Sequence, residues 1–166
     1  MSKNNPKPQT LKMEQIAQLM EEVFAQGGVF RFRPTGRSML PMLRERRDTV
    51  LLCSPAKRPP RKYDVVLYRR DNGQFWLHRI VGQEDGGGFS LCGDNQFRVE
   101  RGVRQEQIAG VLIKFTRGER EIAVDSPLYR GYAAVWTACR PVRSVAIRGL
   151  HWVRRVFFRR GSAQRK

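Results

Sequence analysis

Three short polar segments carry the side chains with which this chain could do covalent chemistry. They are Gly36-Arg37-Ser38-Met39-Leu40-Pro41, Leu77-His78-Arg79-Ile80-Val81 and Gly93-Asp94-Asn95. A serine hydroxyl is a weak nucleophile at neutral pH and needs a base beside its oxygen. A histidine, with an ordinary pKa of about 6.5, can take that proton and return it to a leaving amine. A carboxylate on the far ring nitrogen fixes the tautomer and stabilises the imidazolium. The chain has two histidines, and His151 lies in an arginine-rich stretch with no carboxylate near it in sequence. His78 is therefore the candidate base, Ser38 the candidate nucleophile and Asp94 a candidate acid. Taken singly, each has a structural role open to it: Ser38 in a turn between Gly36 and Pro41, His78 as a hydrogen-bonded strand residue, Asp94 as a turn former. Taken together they are the set of groups that peptide hydrolysis by a serine needs, and no metal or cofactor is expected.

Four segments, in order, resemble the conserved boxes of one superfamily. Gly36-Arg37-Ser38-Met39-Leu40-Pro41 resembles the nucleophile box of the type I signal peptidases and the LexA-type self-cleaving peptidases. Tyr63-Asp64-Val65-Val66-Leu67-Tyr68 resembles their G-D-V-V strand, Trp76-Leu77-His78-Arg79-Ile80-Val81 the box of the general base, and Gly93-Asp94-Asn95 the G-D-N box. The resemblance covers roughly residues 29–115 and implies an antiparallel, mostly β peptidase domain that takes an extended peptide along a sheet edge. It implies Ser38 as nucleophile and His78 as base, in the place where bacterial relatives use lysine; histidine there is similar to the endoplasmic-reticulum and archaeal branch. It implies Asp94 as third member, with Glu100, six residues later, as the alternative acid. Gly36, Arg37, Met39 and Pro41 would support substrate and oxyanion, the Ser38 N–H being the donor. The chain departs from the pattern at Gly36, where many signal peptidases have a second serine, and at Tyr63, which replaces the glycine of G-D-V-V. No transmembrane anchor and no helix-turn-helix domain is expected, so the implied activity comes without an implied substrate.

The elements that must position these residues are legible as patterns. Helical spacing of Ile16, Leu19, Met20, Val23 and Phe24 predicts a helix from a Thr10 cap to about residue 26, stopped by Gly27-Gly28. Strands are predicted near 29–33, 49–53, 64–68, 75–81, 89–92, 108–115 and 121–124, with hairpin turns at Asp71-Asn72-Gly73 and Arg117-Gly118. After Asp125-Ser126-Pro127 the pattern returns to helix, and from Val142 apolar positions alternate with arginines. This gives a mostly β (α+β) class in three parts: leader and helix 1–27, peptidase-like β domain 28–125, basic helical tail 126–166.

Charge sets the expected surroundings. The net charge of +17 divides into zero over residues 1–30, +8 over 31–62, −1 over 63–125 and +10 over 126–166. The tail could pack on the domain, meet a protein partner, or lie on an anionic membrane surface, which suits basic helices with bulky aromatics. Nucleic-acid binding, or partner binding on the same fold without peptidase activity, is the competing reading of the charge. Against nucleic acid, no zinc, helix-turn-helix or RNA-binding aromatic signature is present. Cys53, Cys92 and Cys139 are odd in number, widely spaced, and read as reduced thiols. The polar N-terminus and the lack of a long apolar run predict a cytoplasmic protein, peripheral at the inner face of the membrane if the tail binds lipid. The oligomeric state is open.

Overall fold

The computed structural model describes residues 13–142. Thr10, His151 and the tail beyond residue 142 lie outside them. The chain opens with helix α1, Met13–Ala25, and continues as strands β1 Phe30–Phe32, β2 Thr49–Cys53, β3 Val65–Arg69, β4 Phe75–Gln83, β5 Phe89–Cys92, β6 Glu100–Val103, β7 Ile108–Arg117 and β8 Arg120–Ala123. It closes with helix α2, Pro127–Ala138, capped by Ser126, whose Oγ accepts from the Tyr129 N–H. All strand pairs are antiparallel, in the order β1-β2-β7-β3-β4-β5-β6, with β8 also paired to β7. The class is α+β with an antiparallel sheet at its centre.

The sheet buries apolar side chains on both faces because its strands are apolar at successive positions rather than strictly alternating. Val65, Leu67, Leu77, Val50, Leu52 and Leu112 join one core; Val66, Tyr68, Ile80, Leu91 and Val111 join the other. Met20 of α1 and Tyr129 and Ala133 of α2 are buried in the first core. Both helices thus pack on the core that the sheet buries. The long β1–β2 connection, which carries Ser38, is fastened to the same core by Met39, Met42 and Leu43.

All seven expected strands lie within two residues of their predicted ends, the fourth running on to Gln83 and the sixth to Arg117. One strand, β6, went unread. Glu100-Arg101-Gly102-Val103 has no apolar alternation, and only Val103 is buried. It is a strand because β5 offers it an edge: Phe89 pairs with Val103 and Leu91 with Glu100.

Candidate functional site

Strand β4 organises the site. Its second half pairs with β5 from Arg79↔Cys92 to Gln83↔Phe89, but its first half, residues 75–78, is paired only with β3. Beyond Cys92 the chain turns away through Gly93-Asp94-Asn95, so the edge of β4 beside Trp76 and His78 is left open. A cavity of about 540 Å³ lies on one side, lined by Gly36, Arg37, Ser38, Phe75, Trp76, Leu77, Asn95 and Gln96. A second, of about 1130 Å³, holds His78 with Arg70, Trp76, Asn95, Gln96, Glu100 and Arg101. Trp76, Asn95 and Gln96 form the wall they share.

The Ser38 loop is clamped from the G-D-N turn. Asn95 donates its backbone N–H to the Ser38 carbonyl at 2.7 Å and its Nδ2 to the Arg37 carbonyl at 3.2 Å. The approach is so close that a β-carbon at Gly93 would lie 2.7 Å from the Ser38 carbonyl oxygen, which is why that position takes glycine. Gly36, at a φ of +93°, starts the loop, and its N–H is held by Glu45. Met39 is buried beneath Ser38, and Pro41 stays exposed at the far side of the loop.

His78 is 2% exposed and sits on the other face of β4 from Leu77 and Arg79. Its Nδ1 lies 3.1 Å from the Tyr68 hydroxyl, its ring packs at 5.5 Å from Trp76, and its buried Nε2 has no hydrogen-bond partner. The Tyr68 hydroxyl donates to Glu100 at 2.7 Å, and Arg70 holds the same carboxylate through Nε and its terminal nitrogen. Arg70 in turn stacks over Trp76 at 4.1 Å. Burial, reinforced by Arg70 and opposed by Glu100, lowers the His78 pKa to about 4, so the imidazole is neutral at pH 7. Burial alone would raise the Glu100 carboxyl, but hydrogen bonds from Arg70 and Tyr68 outweigh it and hold it below the usual range.

The expected acid, Asp94, is elsewhere engaged. Its two oxygens take Nε and a terminal nitrogen of Arg79 at 2.8 and 2.6 Å, and the pair is buried, with the Tyr63 carbonyl, the Tyr129 hydroxyl and the Met42 sulfur completing the guanidinium shell. Period-two alternation separates the two: Arg79 follows His78 on β4 and so faces the opposite side of the sheet. Asp94 does not orient His78. Glu100, the alternative, reaches it through Tyr68.

Ser38 and His78 line adjoining cavities and share no hydrogen bond. The residues missed in the sequence are Tyr68, Arg70, Trp76 and Asn95. The Asp71-Asn72-Gly73 hairpin held the clue to two of them, because its register sets Tyr68 opposite Trp76 and one step from His78. No protein-family model, curated protein or solved structure matches this chain.

Proposed function

We propose that the protein is a serine endopeptidase of the signal-peptidase and LexA-type kind, with Ser38 as nucleophile and His78 as general base. The observation that carries this reading is the convergence of the three polar segments on the unpaired edge of β4. The Asn95-clamped Ser38 loop lies on one side, and the unpartnered Nε2 of neutral His78 lies on the other.

A peptide laid in extended form along residues 75–78 completes the sheet by strand addition. Its scissile carbonyl then sits between the two cavities, and the Ser38 hydroxyl closes on Nε2 as the substrate seats; catalytic hydrogen bonds are often long before the complex forms. Nε2 takes the Oγ proton while Oγ attacks the carbonyl carbon. The Ser38 N–H, whose loop carbonyls are tied back by Asn95, supports the oxyanion. Imidazolium then protonates the leaving amine, and water hydrolyses the acyl-enzyme with His78 again as base.

Wild-type protein, Ser38→Ala and His78→Ala are to be compared on a peptide library. Either substitution is expected to lower kcat at least 1000-fold, in line with removal of a triad member. Equal cleavage by all three would remove the peptidase assignment in favour of a binding protein on this fold.

A second reading concerns where the enzyme works. Leu128, Val135 and Val142 are 86%, 63% and 70% exposed and recur every seven residues along α2 and the short helical segment that follows it. This apolar stripe leads directly into the arginine-rich segment 143–166. We place an anionic membrane surface against this side of the molecule.

A further inference from the structure

The peptidase reading requires a base with a free nitrogen lone pair, and the structure contains a device that decides which nitrogen that is. A phenol has one proton to give. The Tyr68 hydroxyl lies 2.7 Å from Glu100 and 3.1 Å from His78 Nδ1. Glu100, carrying Arg70 on both oxygens, is an acceptor only. The Tyr68 proton therefore points to Glu100, and its oxygen is left to accept a hydrogen bond from His78. That bond exists only if Nδ1 carries the imidazole proton, which leaves Nε2 with the lone pair. Nε2 is the atom that has no partner.

We infer that Tyr68 is a positioning residue that relays the Glu100 carboxylate to His78 and locks the imidazole in its Nδ1–H tautomer. The usual serine-peptidase arrangement places a carboxylate directly on the histidine. Here a phenol is inserted between them, and the carboxylate is held in place by Arg70 rather than by the histidine. Two consequences separate this device from a direct carboxylate contact. The imidazole is oriented without a full negative charge against it, in accord with its strongly neutral character. The proton order also depends on Glu100 being ionised: with a neutral side chain there, Tyr68 is free to turn its proton onto Nδ1 and expel the imidazole proton to Nε2.

This inference rests on the peptidase reading for its purpose but not for its test. The full chain labelled with 15N-histidine contains two imidazoles, and His151→Gln assigns them. Long-range 1H–15N correlation at pH 7 reports the protonation of each nitrogen. The expected spectrum of wild type gives a protonated Nδ1 and an unprotonated Nε2 for His78. Tyr68→Phe, which removes one oxygen, is expected to move the population toward Nε2–H and to lower kcat about 10-fold at little change in KM. Glu100→Gln is expected to shift it the same way, and it serves alone if Tyr68→Phe fails to fold. An Nε2–H spectrum in wild type, or unchanged His78 signals in the folded variants, overturns the relay. A wild-type spectrum as expected, alongside cleavage indifferent to Ser38→Ala, would retain the relay and discard the peptidase.

Discussion

At the scale of single residues, His78 is unusual in being a buried, neutral imidazole with one nitrogen committed and one uncommitted. Its groups in reach are Tyr68 on β3, Glu100 on β6, Arg70 in the hairpin and Trp76 on its own strand; of the charged pair, Arg70 lowers its pKa and Glu100 raises it. The consequence for stability has a definite sign. Folding lowers the pKa from about 6.5 to about 4, so between those values the unfolded chain binds more protons than the folded one. Stability is full above pH 6.5 and falls as the pH drops toward 4, by up to about 1.4 kcal/mol per pH unit from this group. His78→Gln removes the group. Urea midpoints of wild type should therefore decline more steeply than those of the variant from pH 6.5 to 4.5. Parallel declines would show that His78 is not held neutral by the fold. Tyr63 offers a second lesson at this scale. Its φ of +76° lies in the left-handed region that glycine adopts at least cost. The side chain compensates by packing against the first core.

At the scale of elements, the Arg79–Asp94 pair is the bolt through the domain. It joins β4 to the G-D-N turn and, through Tyr129, to α2, all in a buried setting. A neighbouring cluster does the same around buried Asp64, which receives Arg58 and Arg130, while Arg58 also holds the exposed Asp125. Removing one partner of a buried pair leaves an uncompensated charge, at a cost of about 3–5 kcal/mol. Asp94→Ala is expected to destabilise by that amount, and Asp94→Ala combined with Arg79→Met to recover most of it. Calorimetric melting of the single and double variants checks this. If the double variant were as unstable as the single one, the pair would not be the source of the loss. The same turn that presents Asp94 to Arg79 presents Asn95 to the Ser38 loop, so one element serves stability with one residue and the site with the next.

At the scale of the whole molecule, the surplus of positive charge is spent in different ways. Arg58, Arg79 and Arg130 are consumed in internal ion pairs. Arg31, Arg33, Arg37, Arg44, Arg46 and Arg47 are exposed on β1 and the connection that carries Ser38. No helix among the described residues is long and apolar enough to cross a membrane. The exposed stripe of α2 and the arginines that follow it instead suit adsorption to anionic lipid. Since Tyr129 and Ala133 are core residues, a chain shortened to test the tail must keep α2 and ends at residue 142. The full chain is expected to sediment with phosphatidylglycerol vesicles and not with neutral ones. The chain ending at 142 should bind several-fold less. Equal sedimentation of both, or a preference for duplex DNA over vesicles at about 0.15 M salt, would assign the charge to another role.

Much of this was already written in local sequence. Glycines, hairpin turns and runs of β-branched residues act over a few positions, so strand positions and the chain order of Ser38, His78 and Asp94 could be read directly. Tyr68, Arg70 and Trp76 lay in plain view, but as ordinary strand and turn residues, because what matters in them is the neighbour that the β3–β4 register supplies. The surroundings of the two carboxylates depended on more distant contacts. Whether Asp94 or Glu100 stands near His78 turns on which face of β4 each approaches. Glu100 is brought to the His78 face by the pairing of β5 with β6, a strand with almost no hydrophobic signal of its own. The sequence by itself determined the kinds of residue available for chemistry and the elements that carry them, since both follow from local propensity. Only the tertiary structure decided the partners, sending Asp94 to Arg79 and Glu100 through Tyr68 to His78, because side-chain pairing across a sheet depends on register and face.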